Sequence, residues 1–291
     1  LVSSSAASDV YKRQSWQPLR LVIDYHIDSM AWIDRDGLPS LLWATDNGLY
    51  EQTLAPGAVP QKILVNAEDQ DMGFYAVTVS NSAIGGTYVA VAARQRGVFL
   101  SANGGKAGSF ENIGLEKELV PVLAVQRSGP HRYLWAGLGA PGSDKGKGAA
   151  RWLLIEDNPE GWVSFSDGWE AGGCRSLAFI DSTVYAASLR LGVLSLDLSE
   201  KNPHWNPSDI NCGLPAAEVG RLQPVEVVTS NEAGEWLLCS PLDKGVYRSS
   251  DGGVTFVHCS SPVYSDEVTV PENWILCSGQ HNISVEREDE G

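Results

Sequence analysis

Few of the residues that could do chemistry in this sequence are grouped as catalysis requires. Histidines stand at positions 26, 131, 204, 258 and 281, never at the spacings that place two imidazoles on one metal. Cys174, Cys212, Cys239, Cys259 and Cys277 form no CxxC pair and are odd in number. HEXXH, Walker A and GxSxG patterns are absent, and no helix follows Gly146-Lys-Gly148 to lend a phosphate its N-terminal dipole. No metal or cofactor site is expected. What remains is a set of cations, Arg94, Arg96, Lys145, Lys147, Arg175, Arg190, Lys244 and His281. Guanidinium groups among them suit bidentate contacts to carboxylates. Asp46, Asp69, Asp71, Glu170 and Asp243 lie near them in sequence and could pair with them instead.

Whether these side chains meet depends on the elements carrying them. The stretch from Trp236 to Phe256, WLLCSPLDKGVYRSSDGGVTF, reads as a strand, a polar turn, a second strand and a tight glycine turn opening a third strand. The unit recurs in LLWATDNGLYEQ (41–52), in YVAVAARQRGVFLS (88–101) and in YLWAGL running through an insertion to KGAARWLL (133–154). It returns in VYAASLRLGVLSLDL (184–198) and, degraded, in WILCSGQHNISVERE (274–288). The glycine that opens the later strand falls at 48, 97, 148, 192 and 245, with Asn282 in the sixth place. A period of about 47 residues is that of a four-stranded propeller blade.

Ser249, Asp251, Gly253, Thr255 and Phe256 match Ser-x-Asp-x-Gly-x-Thr-Phe, and the turn resembles the Asp-box of BNR-repeat β-propellers. An Asp at such a turn accepts backbone N–H groups that the turn leaves unpaired. Ser101-Ala-Asn103-Gly-Gly105 is similar to a decayed copy. The LWATDNGLY form also resembles propeller repeats of bacterial sensor proteins. The resemblance implies an all-β chain folded as a six-bladed propeller of four-stranded antiparallel blades. In that ring Leu19–Tyr25 pairs into the last blade, joining Glu267–Val270, Trp274–Cys277 and Asn282–Glu286.

Asp-box propellers include sialidases, whose chemistry needs an arginine cluster, an Asp acid/base and a Tyr activated by a Glu. Here Ser29–Ile33 occupies the strand where that family carries Arg-Ile-Pro, and Tyr75 and Tyr264 have no assignable Glu partner. A two-carboxylate glycosidase and a fragment of a longer sensor stay open beside the main reading. That reading is a non-catalytic scaffold, possible within a multiprotein bacterial assembly, presenting one loop-rich face to a protein, peptide or glycan. The turns expected to build that face carry Arg94, Arg96, Arg190, Lys244 and His281, and Arg175 begins an innermost strand beside them. Two accounts stand: exposed turns tolerate cations, or the cations form an anion-binding mouth.

A net charge of −15 disfavours nucleic acid and anionic membranes as partners. No apolar run approaches the roughly 20 residues that span a bilayer. The cysteines read as buried free thiols in a reducing compartment, which favours the cytoplasm. Residues 1–14 are set apart: Asp9–Gln14, DVYKRQ, resembles the translated end of a transposase-based sequencing adapter, as in shotgun or environmental DNA, with the true N-terminus then missing. Residues 15–291 are expected to form a single domain.

Overall fold

In the computed structural model the described residues are 25–55, 57–81, 86–140, 145–155, 158–218, 221–231, 234–259, 274–279 and 282–287, with Glu218 and the last two segments described as backbone. Tyr264, His281, residues 1–24 and the strand expected at Glu267–Val270 lie outside them. All regular structure among the described residues is strand.

Five four-stranded antiparallel sheets follow one another along the chain. The first contains β1 (Ile27–Arg35), β2 (Leu38–Thr45), β3 (Gly48–Thr53) and β4 (Gln61–Ile63), and the second β5 (Phe74–Asn81), β6 (Thr87–Ala93), β7 (Gly97–Ser101) and β8 (Phe110–Asn112). The third is built from β9 (Val122–Ser128), β10 (His131–Gly137), β11 (Ala149–Leu153) and β12 (Val163–Phe165). β13 (Cys174–Ile180), β14 (Thr183–Ser188), β15 (Val193–Asp197) and β16 (Trp205–Pro207) make the fourth. A small pair, β17 (Ala216–Glu218) with β18 (Arg221–Leu222), lies in the crossing to the fifth sheet. That sheet holds β19 (Val225–Ser230), β20 (Leu237–Pro241), β21 (Tyr247–Ser249) and β22 (Val257–His258). A final hairpin joins β23 (Trp274–Gly279) to β24 (Asn282–Arg287).

In each sheet the strands are paired in sequence order, so every sheet is a meander whose first strand is an edge. These first strands form an inner row: β1 packs on β5, β5 on β9, β9 on β13, β13 on β19, and β23 lies against β19. Sheets stack face to face, and their second strands are covered on both sides. Such strands read as continuous apolar runs of small residues, because no face is left for polar ones. Ala44, Ala92, Ala136 and Ala186 are fully buried for this reason.

Two repeated details align neighbouring sheets. Ser29 Oγ accepts the Val77 N–H (3.3 Å) across the β1–β5 contact, and Ser176 Oγ donates to the Val228 carbonyl (3.0 Å) across the β13–β19 contact. The glycines at 48, 97, 148, 192 and 245 all have positive φ, from 70° to 150°, which accounts for their recurrence. A Cβ on Gly97 would stand 2.2 Å from the Gly114 carbonyl oxygen in the crossing to the third sheet.

Buried polar groups are largely satisfied. Trp135 Nε1 donates to Gln126 Oε1 (2.9 Å) with both side chains enclosed, and Trp205 Nε1 donates to the Phe165 carbonyl (2.9 Å). Cys174, Cys212 and Cys239 are buried free thiols, as expected. Cys259 corrects that expectation: it follows the two-residue edge strand β22 and is exposed. The side chain of Cys277 is outside the description.

Candidate functional site

Each sheet has two ends. Pairing of the start of the first strand with the end of the second, as in Ile27↔Thr45, puts the turns between second and third strands beside the first-strand N-termini. The opposite end carries the turns between first and second strands and those between third and fourth.

At that opposite end lies the Ser249–Phe256 turn. Ser249 Oγ accepts the Gly253 N–H (2.9 Å) and donates to Asp251 Oδ1 (2.7 Å). Asp251 accepts the Thr255 N–H (2.9 Å) and the Thr255 hydroxyl (2.5 Å). These bonds, the Thr255 hydroxyl first, hold the Asp251 carboxyl down to about 2. Phe256 is buried, and Gly253 lies over the Tyr185 ring of the fourth sheet. The 101–105 turn repeats the pattern: Ser101 Oγ accepts the N–H groups of Asn103 (3.1 Å) and Gly105 (3.0 Å). Arg35 of the first sheet reaches this second turn, donating to the Gly104 carbonyl (2.5 Å) while its fork grips Glu51 through two 2.7 Å bonds. Both turns thus lie against the sheet before them, while the Ser249, Asp251 and Ser101 side chains bond within their own turns.

The other end has a different character. In four of the five sheets the first strand opens with a register shift, between Ile27 and Ser29, Phe74 and Ala76, Cys174 and Ser176, and Val225 and Val227. The residue left out of the ladder is Asp28, Tyr75, Arg175 or Glu226. In the third sheet, where pairing ends at Val122 opposite Gly137, Pro121 is next in line. A bulge frees one side chain from the alternation of the strand and re-aims it. The same end of four of the five sheets therefore presents a carboxylate, a phenol, a guanidinium and a second carboxylate.

The expected cations among the described residues lie at this same end. Arg94, on the β6–β7 turn, bonds Asp28 Oδ2 (2.5 Å) and lies over the Tyr75 ring, 4.5 Å from its centroid. Arg96 Nε stands 3.5 Å from Asp69, Lys145 Nζ 2.5 Å from Glu170, and Lys147 Nζ 2.6 Å from Glu118. Arg175 Nη2 is 3.5 Å from Glu226 Oε1. Arg190 occupies the β14–β15 turn with its side chain beside Gly172, and Lys244 the β20–β21 turn. Arg94, Arg96, Arg175, Lys145 and Lys147 thus each stand beside a carboxylate, and this end is a surface of alternating charge. Glu170 and Asp69 were named as pairing candidates from the sequence; Asp28, Glu118 and Glu226 were not. Neither was the row of bulged residues, although each falls directly after the apolar residue that opens its inner strand.

Among the described residues no group of His, Cys, Asp or Glu could hold a metal ion. No helix among them is long and apolar enough to cross a membrane. Tyr75, one tyrosine considered for glycosidase chemistry, has Arg94 over its ring.

No protein-family model matches the sequence, nor does any curated protein. Solved structures do resemble it. A chain of Polycomb Repressive Complex 2 from Chaetomium thermophilum, bound to GSK126, superposes with a TM-score of 0.53 at 14% identity, over 86% of this chain and 57% of that one. The Dos1 propeller does so with a TM-score of 0.51 at 12% identity, over 82% and 60%. Chaetomium thermophilum Raptor gives a TM-score of 0.54 at 12% identity, over 81% and 21%. This chain spans little more than half the length of the first two. At these identities the likeness concerns the fold, and the fold is a β-propeller.

Proposed function

We propose that this chain is a non-catalytic propeller scaffold that holds a protein or peptide partner at the end bearing the bulged residues. The observation that carries the reading is that one end of a stacked, rigid array collects Asp28, Tyr75, Arg175 and Glu226 together with the longest loops. Binding residues concentrate on such loops because the scaffold beneath them fixes their positions. One of the similar structures is a chain of Polycomb Repressive Complex 2, which agrees with a role in assembly.

The proposal includes six blades of the BNR type, the sixth containing β23 and β24 and completed by the segment before Tyr25. Met30, Trp43 and Tyr50 share the face of the first sheet turned away from the second. No described sheet stacks on that face, yet Trp43 is 1% exposed. Tyr25 stacks on Tyr50 at 5.9 Å, and β23 lies against β19 at the far end of the inner row. A sixth blade between the fifth and the first would cover that face.

Affinity capture tests the function. Wild-type protein should retain a partner that Arg190→Glu/Lys244→Glu loses, with the thermal midpoint unchanged. Equal retention by the double variant would place the partner elsewhere, and turnover of a fluorogenic sialoside by purified protein would replace the scaffold reading with a hydrolase.

A further inference from the structure

We infer that the face of the first sheet turned away from the second takes residues 19–24 of this same chain, laid down with Leu19, Leu21 and Ile23 inward. The inference rests on the six-blade part of the reading above and fixes what it leaves open, namely which side of the segment meets the sheet. Strand alternation puts Met30 and Trp32 of β1, Leu41 and Trp43 of β2, and Tyr50 and Gln52 of β3 on this face. Leu54 follows in line, its N–H donated to the Pro39 carbonyl (2.8 Å). The two halves of the face differ. Over β1, Met30 and Trp32 are 55% and 50% exposed, whereas Trp43, Tyr50 and Gln52 over β2 and β3 are buried. Gln52 is closed over by its own loop, through the Ala58 carbonyl (3.0 Å), but no described sheet stacks over Trp43. Two enclosed atoms on this half, Trp43 Nε1 and Gln52 Oε1, have no hydrogen-bond partner among the described residues. The cover therefore lies over the outer strands, and Tyr25 is its described end.

The chain itself identifies the occupant. Tyr25 stacks on Tyr50 with ring centroids 5.9 Å apart, which seats the first described residue on this face. Before it, Leu19-Arg-Leu-Val-Ile-Asp-Tyr25 alternates: Leu19, Leu21, Ile23 and Tyr25 are apolar, and of the intervening residues only Val22 is. Alternate side chains of an extended segment share one side, so the Tyr25 ring sets the phase of the three before it. Direction follows too. Tyr50 stands near the bulged end of β3, so a segment that stays on the face runs toward the opposite end. Two residues advance both strands by about 6.7 Å, which brings Ile23 level with Gln52 and Leu41, and Leu21 level with Leu54. Leu54 is 36% exposed and has room for that contact. A slip of one residue would press Arg20 and Asp24 against the apolar face, which the desolvation of charge forbids. The segment also brings main-chain donors and acceptors to a face that encloses one orphan of each kind. A second copy would have to displace Tyr25 from Tyr50 to reach the same rings.

Single cysteines placed along the segment in the whole chain test this, read by peptide mapping after brief iodoacetamide treatment of the native protein. Leu21→Cys and Ile23→Cys should be labelled severalfold more slowly than Arg20→Cys and Asp24→Cys, at every protein concentration. Ile23→Ala and Leu41→Ala should be non-additive in urea denaturation, as residues in contact are, while Asp24→Ala and Leu41→Ala should add. Protection of Arg20→Cys and Asp24→Cys instead would overturn the inference and leave the sixth blade standing. Equal labelling of all four positions would also overturn it, and if that labelling is fast the sixth blade falls with it. Protection that appears only on concentrating the protein would make a second copy the occupant and overturn the inference as well. Partner capture at the bulged end is a separate measurement, so the scaffold reading survives each of these results.

Discussion

Ser176 Oγ and the Val228 carbonyl, 52 residues apart in the chain, meet at 3.0 Å where the fourth sheet packs on the fifth. Ser29 makes the matching contact with Val77, 48 residues on, between the first sheet and the second. Each serine follows a bulged residue, so the same hydroxyl that aligns two sheets also sets the residue before it at the surface. Ser176→Ala leaves a partly buried carbonyl without its donor and should cost about 1 kcal/mol. A urea denaturation midpoint equal to wild type would show that apolar packing alone aligns the sheets.

Gly97 has a φ of +77°, and a Cβ there would meet the Gly114 carbonyl oxygen at 2.2 Å. Left-handed backbone and steric overlap act together, so Gly97→Ala should destabilise by more than about 2 kcal/mol. Gly57, also left-handed at +79° but with no atom within 4 Å of its Cβ position, is the control. Gly57→Ala should cost only the conformational part, and comparison of the two melting temperatures separates strain from collision.

Much of the architecture was legible in the sequence because turns and repeats are local. The recurring glycines are the left-handed positions, and the turns bearing Arg94, Arg190 and Lys244 lie at the end expected for them. The fate of the charges was not legible. Arg94 meets Asp28 across 66 residues, and nothing within either segment identifies the other. The bulges escaped for a related reason: an unpaired residue is defined by its partner strand, which sequence alternation does not reveal. Cys259 shows the limit on the apolar side, since its neighbours Val257 and His258 read as a strand but form only a two-residue edge.

The Asp251 carboxyl sits at about 2 in the folded protein, against roughly 3.9 for an unperturbed Asp. A depressed folded value means that its contribution is complete above the unfolded value and is lost as pH falls through the range from about 4 to 2. Asp251→Asn should remove that component: the variant should be less stable than wild type at pH 6 and nearly equal to it near pH 2. A gap that stays constant over this range would assign the effect to shape rather than charge. Asp251→Ala should lower stability at neutral pH by up to about 1 kcal/mol through loss of the Thr255 bonds.

Thiol reactivity should follow burial. Burial pushes the Cys174 thiol up to about 12 and raises Cys239 as well, leaving almost no thiolate in either. Iodoacetamide at pH 8 should modify Cys259 well before Cys174, Cys212 or Cys239, which should react only on denaturation. Peptide mapping that finds Cys239 labelled as fast as Cys259 would mean that the fifth sheet opens locally in the native state.

Deletions from the N-terminus bear on the proposed sixth blade. Removing residues 1–14 should leave the thermal midpoint unchanged. Removing residues 1–25 also takes away the Tyr25–Tyr50 stacking and should lower it by several degrees, roughly the shift that 1–2 kcal/mol gives a chain of this size. An unchanged midpoint for the longer deletion would leave the first sheet's outer face to be covered from elsewhere.

The bulges carry one more consequence. Residues 28, 75, 175 and 226 fall at the register shifts that open their inner strands, so the ladder pairing does not pass through them. The four positions are not equivalent: Asp28 and Tyr75 are held by Arg94, while the Arg175 and Glu226 side chains stand further apart and more exposed. Under the scaffold proposed above, positions 175 and 226 are therefore the ones where a new side chain can be written at least cost to the sheets beneath.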